Sequence, residues 1–443
     1  MSKDTVWGKR FAERAENKAF EALNSSIETD VRLYREEIAA TAAHARALKR
    51  AGIYTDAELG AVLSALSEIE KEIAAGECDI LRYEDVHTLV EKMLTDKTGK
   101  AGMKIQTARS RNEQTITNQR LFLKKKIAEI DGLLHLLQAA LLKAAECGVD
   151  ALIPGYTHAR PAQPIRAAHY FLAHFFGLER DRERFAGALM RVDQSSAGTG
   201  PLAGATFGLD RDALAEDLGF AAVLDNALDA VSDRDTHMET LAAAAIMQVR
   251  LSRMAADLIA WSAPECGFMT LGDSCCTSSS IMPQKKNPDG LELVRAKAAR
   301  TIGDLCAMLA VCKGLPTGYQ KDLQEDKACL FGALDSAALC LETTRSAVEE
   351  LKLNAEAALG AIPAECMATD LADALVSEGV PFREAYGIIA AEIGRAGGLA
   401  DFGRRIPSPE ESVERRDSVG GTARKAVLGQ MEKAKEILQK HGK

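Results

Sequence analysis

Apolar residues recur in alternating steps of three and four at Ile127, Ile130, Leu134, Leu137 and Leu141. That spacing lays one hydrophobic seam along a helix. No proline occurs before Pro154, so nothing interrupts this pattern, and it predicts a helix over 112–147, about 54 Å long at 1.5 Å per residue. Comparable stretches predict long helices over 165–192, 232–261, 288–313 and 322–353. Ser232, three residues before Asp235, resembles a helix-start capping arrangement. Five long helices imply an elongated bundle. Shorter amphipathic segments at 26–50 and 56–75 precede it, and segments at 368–377 and 383–396 follow Ile362-Pro363. The expectation is an all-α chain of three domains: an N-terminal helical domain (1–111), a central long-helix bundle (112–361) and a small C-terminal helical domain (362–443).

The chain of 443 residues is long enough for two or three such domains. A net charge of -9 argues against general nucleic-acid binding, while leaving room for a local basic pocket. No apolar run is long enough to span a membrane, and the start MSKDTVWGKRF lacks the apolar core of a signal peptide. A soluble, cytoplasmic protein is expected. The ten cysteines form no CxxC pair and no clustered Cys/His ligand set, so reduced thiols are expected and no metal site. Cys275 and Cys276 read as semi-buried fillers without a catalytic role. GTGPLAG at 198–204 does not match the GxGxxG spacing and reads as a turn between helices.

Three polar clusters carry candidate chemistry. SSSIMPQKKNPD at 278–289 combines hydroxyls, two lysines and an asparagine between prolines that restrict the backbone, an anion site with a candidate base. TARSRNEQ at 107–114 places two arginines at the start of the longest predicted helix, where backbone donors and the helix dipole favour an anion. PGYTHARPAQP at 154–164 sets Thr157 and His158 in a proline-bounded loop, and histidine suits general acid or base work near neutrality.

Together these segments resemble the argininosuccinate lyase branch of the fumarase/aspartase superfamily. GYTHARPAQP is similar to the family's Gly-Tyr-Thr-His loop, TARSRNEQ to its Arg-Ser-Arg-Asn segment, and SSSIMPQKKNPD to its mobile signature loop. WGKRF at 7–11, NSSI at 24–27, EDVH at 84–87, LDAVSDRD at 228–235, YQKDLQEDK at 319–327, ATDLAD at 368–373 and SVERRDSVGGTA at 412–423 extend the resemblance across the chain. It implies a cofactor-free homotetramer whose long helices form a twenty-helix core and whose active sites draw on three subunits. It also implies cleavage of argininosuccinate to arginine and fumarate by anti β-elimination.

By the same resemblance Ser279 is the base, and Lys285 with Asn287 stabilises the developing aci-carboxylate. A serine hydroxyl is a poor base alone, so Lys285 and loop N–H groups have to favour its alkoxide. His158 serves the leaving guanidinium nitrogen, directly or through water, and Glu292 orients it or couples to its charge. Ser26, Asn112, Thr157, Tyr319, Gln324 and Lys327 carry over as substrate-binding residues, Arg111 and His87 as pocket members, and Arg234 as a brace of the site or of a subunit contact. Two positions depart from the pattern. Ser278 replaces a glycine, which implies a stiffer loop hinge, and Glu113 replaces an aspartate. Two other readings stay open: another fumarate-releasing lyase, acting on adenylosuccinate or an aminodicarboxylate, and an inactive crystallin-like structural homologue. Gln-Lys-Lys after Met-Pro, with TARSRNEQ and YQKDLQEDK, favours argininosuccinate.

Overall fold

The computed structural model describes residues 17–395, 399 and 402–441. WGKRF at 7–11 lies outside them. The architecture is all-α, with long helices at Arg111–Cys147, Ala167–Val192, Asp235–Ser262, Asp289–Cys312 and Asp326–Glu349. Among the described residues the only sheets are two-stranded. The seam read from sequence is the buried face of the longest helix: Ile130, Leu134, Leu137 and Leu141 are fully buried and Ile127 nearly so. Its start is fixed locally. The Glu113 carboxylate accepts the Ser110 N–H at 3.1 Å, and Ser110 Oγ accepts the Asn112 N–H at 3.3 Å, which satisfies donors that a helix start leaves open.

Chain contacts group the residues into two units that each draw on three stretches. The first comprises Met1–Glu129, Arg184–Ala244 and Thr301–Asp335. Its main apolar cluster joins Ile38 and Leu48 of the Tyr34–Arg50 helix, Val62, Leu66 and Ile69 of the Asp56–Ala75 helix, and Leu89, Val90 and Leu94 of the Val86–Thr98 helix. A reciprocal capping box between Thr55 and Glu58 starts the second of these helices, and Gly76, at φ 69°, ends it in the left-handed conformation glycine tolerates best. The Asp235–Ser262 helix corrects the capping expectation. Ser232 is the last residue of a preceding helix, Ala227–Ser232, and its hydroxyl bonds the Leu228 carbonyl; the Asp233 carboxylate instead accepts the Asp235 N–H at 2.7 Å.

The second unit comprises Ile130–Glu183, Ala245–Arg300 and Ser336–Lys443. Here the expected proline-bounded loop is a β-hairpin, Leu152–Thr157 against Arg160–Arg166. The ribbon accommodates its prolines because both strands are edges, with Pro154 opposite Pro164 and a bulge after Gly155. Buried Arg166 anchors it, donating to the Val149 carbonyl and pairing with Glu410 and Glu414. Two segments of the sequence resemblance meet nearby in the chain's C-terminal part: Asp370 accepts from Ser412 Oγ at 2.6 Å and from Arg416 at 3.0 Å. Among the described residues no helix is long and apolar enough to cross a membrane.

Candidate active site

Ser279 lies just beyond a two-rung antiparallel ladder, Thr277 opposite Asn287 and Ser278 opposite Lys286. The pairing continues one step further, where the Ser279 N–H donates to the Lys285 carbonyl at 3.3 Å. Opposed residues share a face and successive residues alternate, so Ser279, Lys285 and Asn287 fall on one side with Thr277, and Ser278 and Lys286 on the other. Lys286 is tied down there, donating to the Leu271 carbonyl at 2.7 Å and to Asp273 at 2.6 Å. Asp289, at the start of the following helix, closes the neck by accepting the Thr277 N–H at 3.1 Å and its hydroxyl at 2.5 Å. Beyond the neck the chain turns so that Ser279 Oγ accepts the N–H groups of Ile281 at 3.3 Å and Met282 at 3.0 Å. Two donors on a serine oxygen favour its ionised form. The Lys285 side chain is exposed.

His158 and Ala159 form the two-residue tip of the 152–166 hairpin, with Thr157 paired to Arg160. Both tip residues have positive φ, 51° and 57°, the backbone of a type I′ turn built without glycine or asparagine. Thr157 and His158 are exposed. The other described non-glycine residue at positive φ is Ala108, at 60° in the arginine-rich segment. Backbone strain of this kind thus falls in two of the three polar clusters, as it does at sites where the surrounding fold holds a functional geometry. Glu292 is exposed, 3.9 Å from Arg295. No hydrogen bond or ion pair among the described residues joins His158 to Ser279, Lys285 or Glu292 within the chain.

Apart from Thr157, the substrate-binding candidates lie in the first unit, where several converge. His87 Nδ1 is 2.6 Å from the buried Glu37 carboxylate, and its Nε2 is 3.4 Å from Thr115 Oγ1. Arg111 pairs with Asp85 at 3.2 Å and donates to Thr88 and Gln114. Ser26 Oγ donates to Asp30 at 2.5 Å, and the Val86 N–H donates to the other oxygen of the same carboxylate. Burial and the neighbouring Asp85 push the Asp30 carboxyl up to about 6, against the pull of His87 and Lys327. Lys327 is buried beside Asp326, which also accepts from Gln119 and Arg234. The Tyr319 phenol is pushed up to about 12 by burial, with Asp326 and Asp85 adding to the effect. Ser26, His87, Arg111, Tyr319 and Lys327 therefore act on one shared set of carboxylates. Asn112 points elsewhere, donating to the Pro201 carbonyl at 3.1 Å, and Gln324 is half-buried in the short Lys321–Glu325 turn.

The Lyase family matches residues 10–303, and the argininosuccinate lyase C-terminal family matches residues 365–397. The argininosuccinate lyase of Symbiobacterium thermophilum is 44% identical, over 98% of this chain and 99% of its own length. That of Pelotomaculum thermopropionicum is 43% identical, with 98% and 99% covered. The chain belongs to the argininosuccinate lyase family. Among solved structures, an EDDS lyase variant with bound fumarate shares the fold with a TM-score of 0.81 at 23% identity, covering 99% of this chain and 91% of its own. A fumarate lyase from Mesorhizobium sp. BNC1 does so with a TM-score of 0.73 at 17% identity, covering 92% and 95%.

For this argininosuccinate lyase family member the two departures from the sequence pattern have local explanations. Ser278 occupies an extended strand position and is not among the positive-φ residues, so the glycine it replaces is not needed for backbone freedom in this conformation. Glu113 fills the helix start itself. The anion position expected at the N-terminus of the longest helix is partly taken by its carboxylate, and Arg109 is buried against Thr41 at 2.8 Å and Glu37 at 3.6 Å. Sequence reasoning passed over Glu37, Asp30, Asp85 and Asp326. Glu37, Thr41 and His44 are spaced as one face of the Tyr34–Arg50 helix, a polar stripe that only its burial distinguishes from a solvated one.

Proposed function

We propose that the chain cleaves argininosuccinate to arginine and fumarate, the activity named for its curated relatives. The observation that carries the reading is Ser279 Oγ, which accepts two loop N–H groups one cross-strand step from Lys285. Ser279, as alkoxide, takes the proton from the carbon beside a substrate carboxylate. Charge then develops on that carboxylate, and Lys285 and Asn287 on the same face of the ladder supply preorganised stabilisation. The C–N bond breaks on the opposite side, and His158 delivers a proton to the guanidinium nitrogen, with Glu292 as its partner. Ser26, His87, Arg111, Asn112, Thr157, Tyr319, Gln324 and Lys327 hold the substrate. The reaction needs only proton transfer and charge stabilisation from these side chains.

We propose that the site is completed in a homotetramer. Support comes from the long helices, which leave the apolar side chains of Ile246, Val249, Leu293, Ile302, Leu309 and Leu339 exposed, and association would bury such side chains. Along the chain we retain the division into 1–111, 112–361 and 362–443, and we place the reaction in the cytoplasm. Purified protein offered argininosuccinate, adenylosuccinate and aspartate separately tests the substrate. Fumarate absorbance should rise with argininosuccinate alone, accompanied by equimolar arginine. Fumarate from adenylosuccinate but not argininosuccinate would overturn the assignment.

A further inference from the structure

Glu37 lies on the inner face of the Tyr34–Arg50 helix, 1% exposed, and is not itself among the substrate-binding candidates. Its carboxylate collects donors. His87 Nδ1 stands at 2.6 Å and Asn118 Nδ2 at 2.7 Å from one oxygen, and Thr41 Oγ1 and Gln114 Nε2 donate to the other at 3.0 Å. Arg109 stands 3.6 Å from that second oxygen and donates to Thr41. Burial alone would raise this carboxyl, but His87, Arg109 and the converging donors hold it well below the usual carboxylate range. Two turns further along the same face, His44 Nε2 is 2.9 Å from the Thr107 carbonyl, next to strained Ala108. A carbonyl only accepts, so His44 donates from Nε2.

The arrangement has a direction. An ionised carboxylate only accepts, so His87 must present Nδ1–H to Glu37, and Nε2 is the nitrogen left toward Thr115. Glu37 also fixes the side-chain amides of Gln114 and Asn118, since each must turn its NH2 toward the carboxylate. Gln114 Oε1 is thereby free to accept from Arg111, at 3.3 Å. One buried anion thus sets the orientation of His87 and, through Gln114, of Arg111.

We infer that Glu37 is a positioning residue for substrate binding, acting chiefly by fixing the tautomer and ring orientation of His87. The inference rests on the proposed argininosuccinate cleavage. Glu37→Gln keeps the volume but turns an amide NH2 toward groups that are themselves donors. In the full-length protein it should raise KM for argininosuccinate by roughly tenfold to a hundredfold, the scale of a misplaced binding group, with kcat within about threefold. Glu37→Asp should recover part of the loss. In a His87→Asn background Glu37→Gln should add less than about twofold, because its route of action is already gone. The histidine 15N spectrum gives a readout independent of turnover: His87, assigned through His87→Asn, should show a protonated Nδ1 that changes in Glu37→Gln. Wild-type protein inert toward argininosuccinate would defeat the functional reading, and the 15N comparison would still test the positioning. Unchanged kinetics in Glu37→Gln, effects that multiply across the cycle, or an unaltered His87 signal would overturn the role of Glu37. If Glu37→Gln does not fold, Glu37→Asp carries the same cycle and the same spectrum.

Discussion

Ser279 and Lys285 are cross-strand neighbours, joined by the Ser279 N–H and the Lys285 carbonyl at 3.3 Å, six positions apart in sequence. Their opposition follows from the ladder below them, which also puts Asn287 on the same side. The spacing of a serine, a lysine six residues on and an asparagine two beyond that is thus the register of a small hairpin. Ser279→Ala removes the proposed base while leaving Lys285 and Asn287 in place. It should lower kcat by roughly 10²–10⁴-fold, the usual range for acid–base groups, with argininosuccinate binding still measurable by calorimetry. Lys285→Met should weaken both binding and turnover. Near wild-type turnover in Ser279→Ala together with loss in Ser280→Ala would shift the base by one residue.

The other face of the same ladder calls for a contrasting pair of substitutions. Lys286 holds the hairpin to the Leu271 carbonyl and to Asp273, but the Asp273 side chain is almost wholly exposed. An ion pair at such a position contributes little, whereas the bond to the carbonyl survives without it. Asp273→Asn should therefore keep kcat within about threefold, while Lys286→Met, which loses both anchors, should lower it by about tenfold or more through misplacement of Ser279. Steady-state kinetics of the two variants decide this; equal losses would assign the anchoring to the ion pair.

How much of this was legible in the sequence depended on whether the pattern had a period. Ile127, Ile130, Leu134, Leu137 and Leu141 repeat over many turns, and the long helices came out within a few residues of their observed ends. The 152–166 hairpin was not legible. Its strands contain three prolines, and its turn, His158-Ala159, lacks the glycine or asparagine that usually marks a type I′ tip. Motif resemblance picked out His158, Ser279 and Lys285 as residues but not how the backbone presents them. Glu37 and Asp30 were invisible for a different reason. On an amphipathic helix an acidic residue reads as solvated, and only tertiary packing, which buries both beside His87 and Asp85, turns them into parts of a network.

Asp30 has a measurable consequence for stability. Its carboxyl is raised from 3.8 to about 6 by burial and Asp85. Below pH 3.8 both folded and unfolded chains hold the proton. Between that value and about 6 the folded chain retains it while the unfolded chain releases it, so stability falls as pH rises through this window. The displacement corresponds to at most roughly 3 kcal/mol above pH 6. Asn at this position can still accept from the Val86 N–H and donate to Ser26 Oγ, replacing the side-chain hydrogen bonds Asp30 makes among the described residues. Asp30→Asn should therefore melt at higher temperature than wild type at pH 8, with the advantage disappearing near pH 4. Scanning calorimetry across that range checks it, and a lower melting temperature at pH 8 would show that the charge of Asp30 is stabilising.

Assembly gives the most demanding test. We propose that each active site combines the 107–114, 155–164 and 278–288 segments of different subunits, and among the described residues no hydrogen bond or ion pair within the chain joins His158 to Ser279. Two inactive parents should then complement each other. His158→Asn and Ser279→Ala subunits, mixed in equal amounts and co-refolded, form hybrids in which some sites receive His158 from one parent and Ser279 from the other. Such sites carry no substitution at either position. Each residue comes from its intact pool half of the time, so roughly one quarter of sites should regain wild-type composition in a closed homo-oligomer. Fumarate release by the mixture should approach that fraction of wild-type activity, while each parent refolded alone stays inactive. Native mass spectrometry that finds hybrid tetramers with no recovered activity would place His158 and Ser279 of each active site in a single subunit.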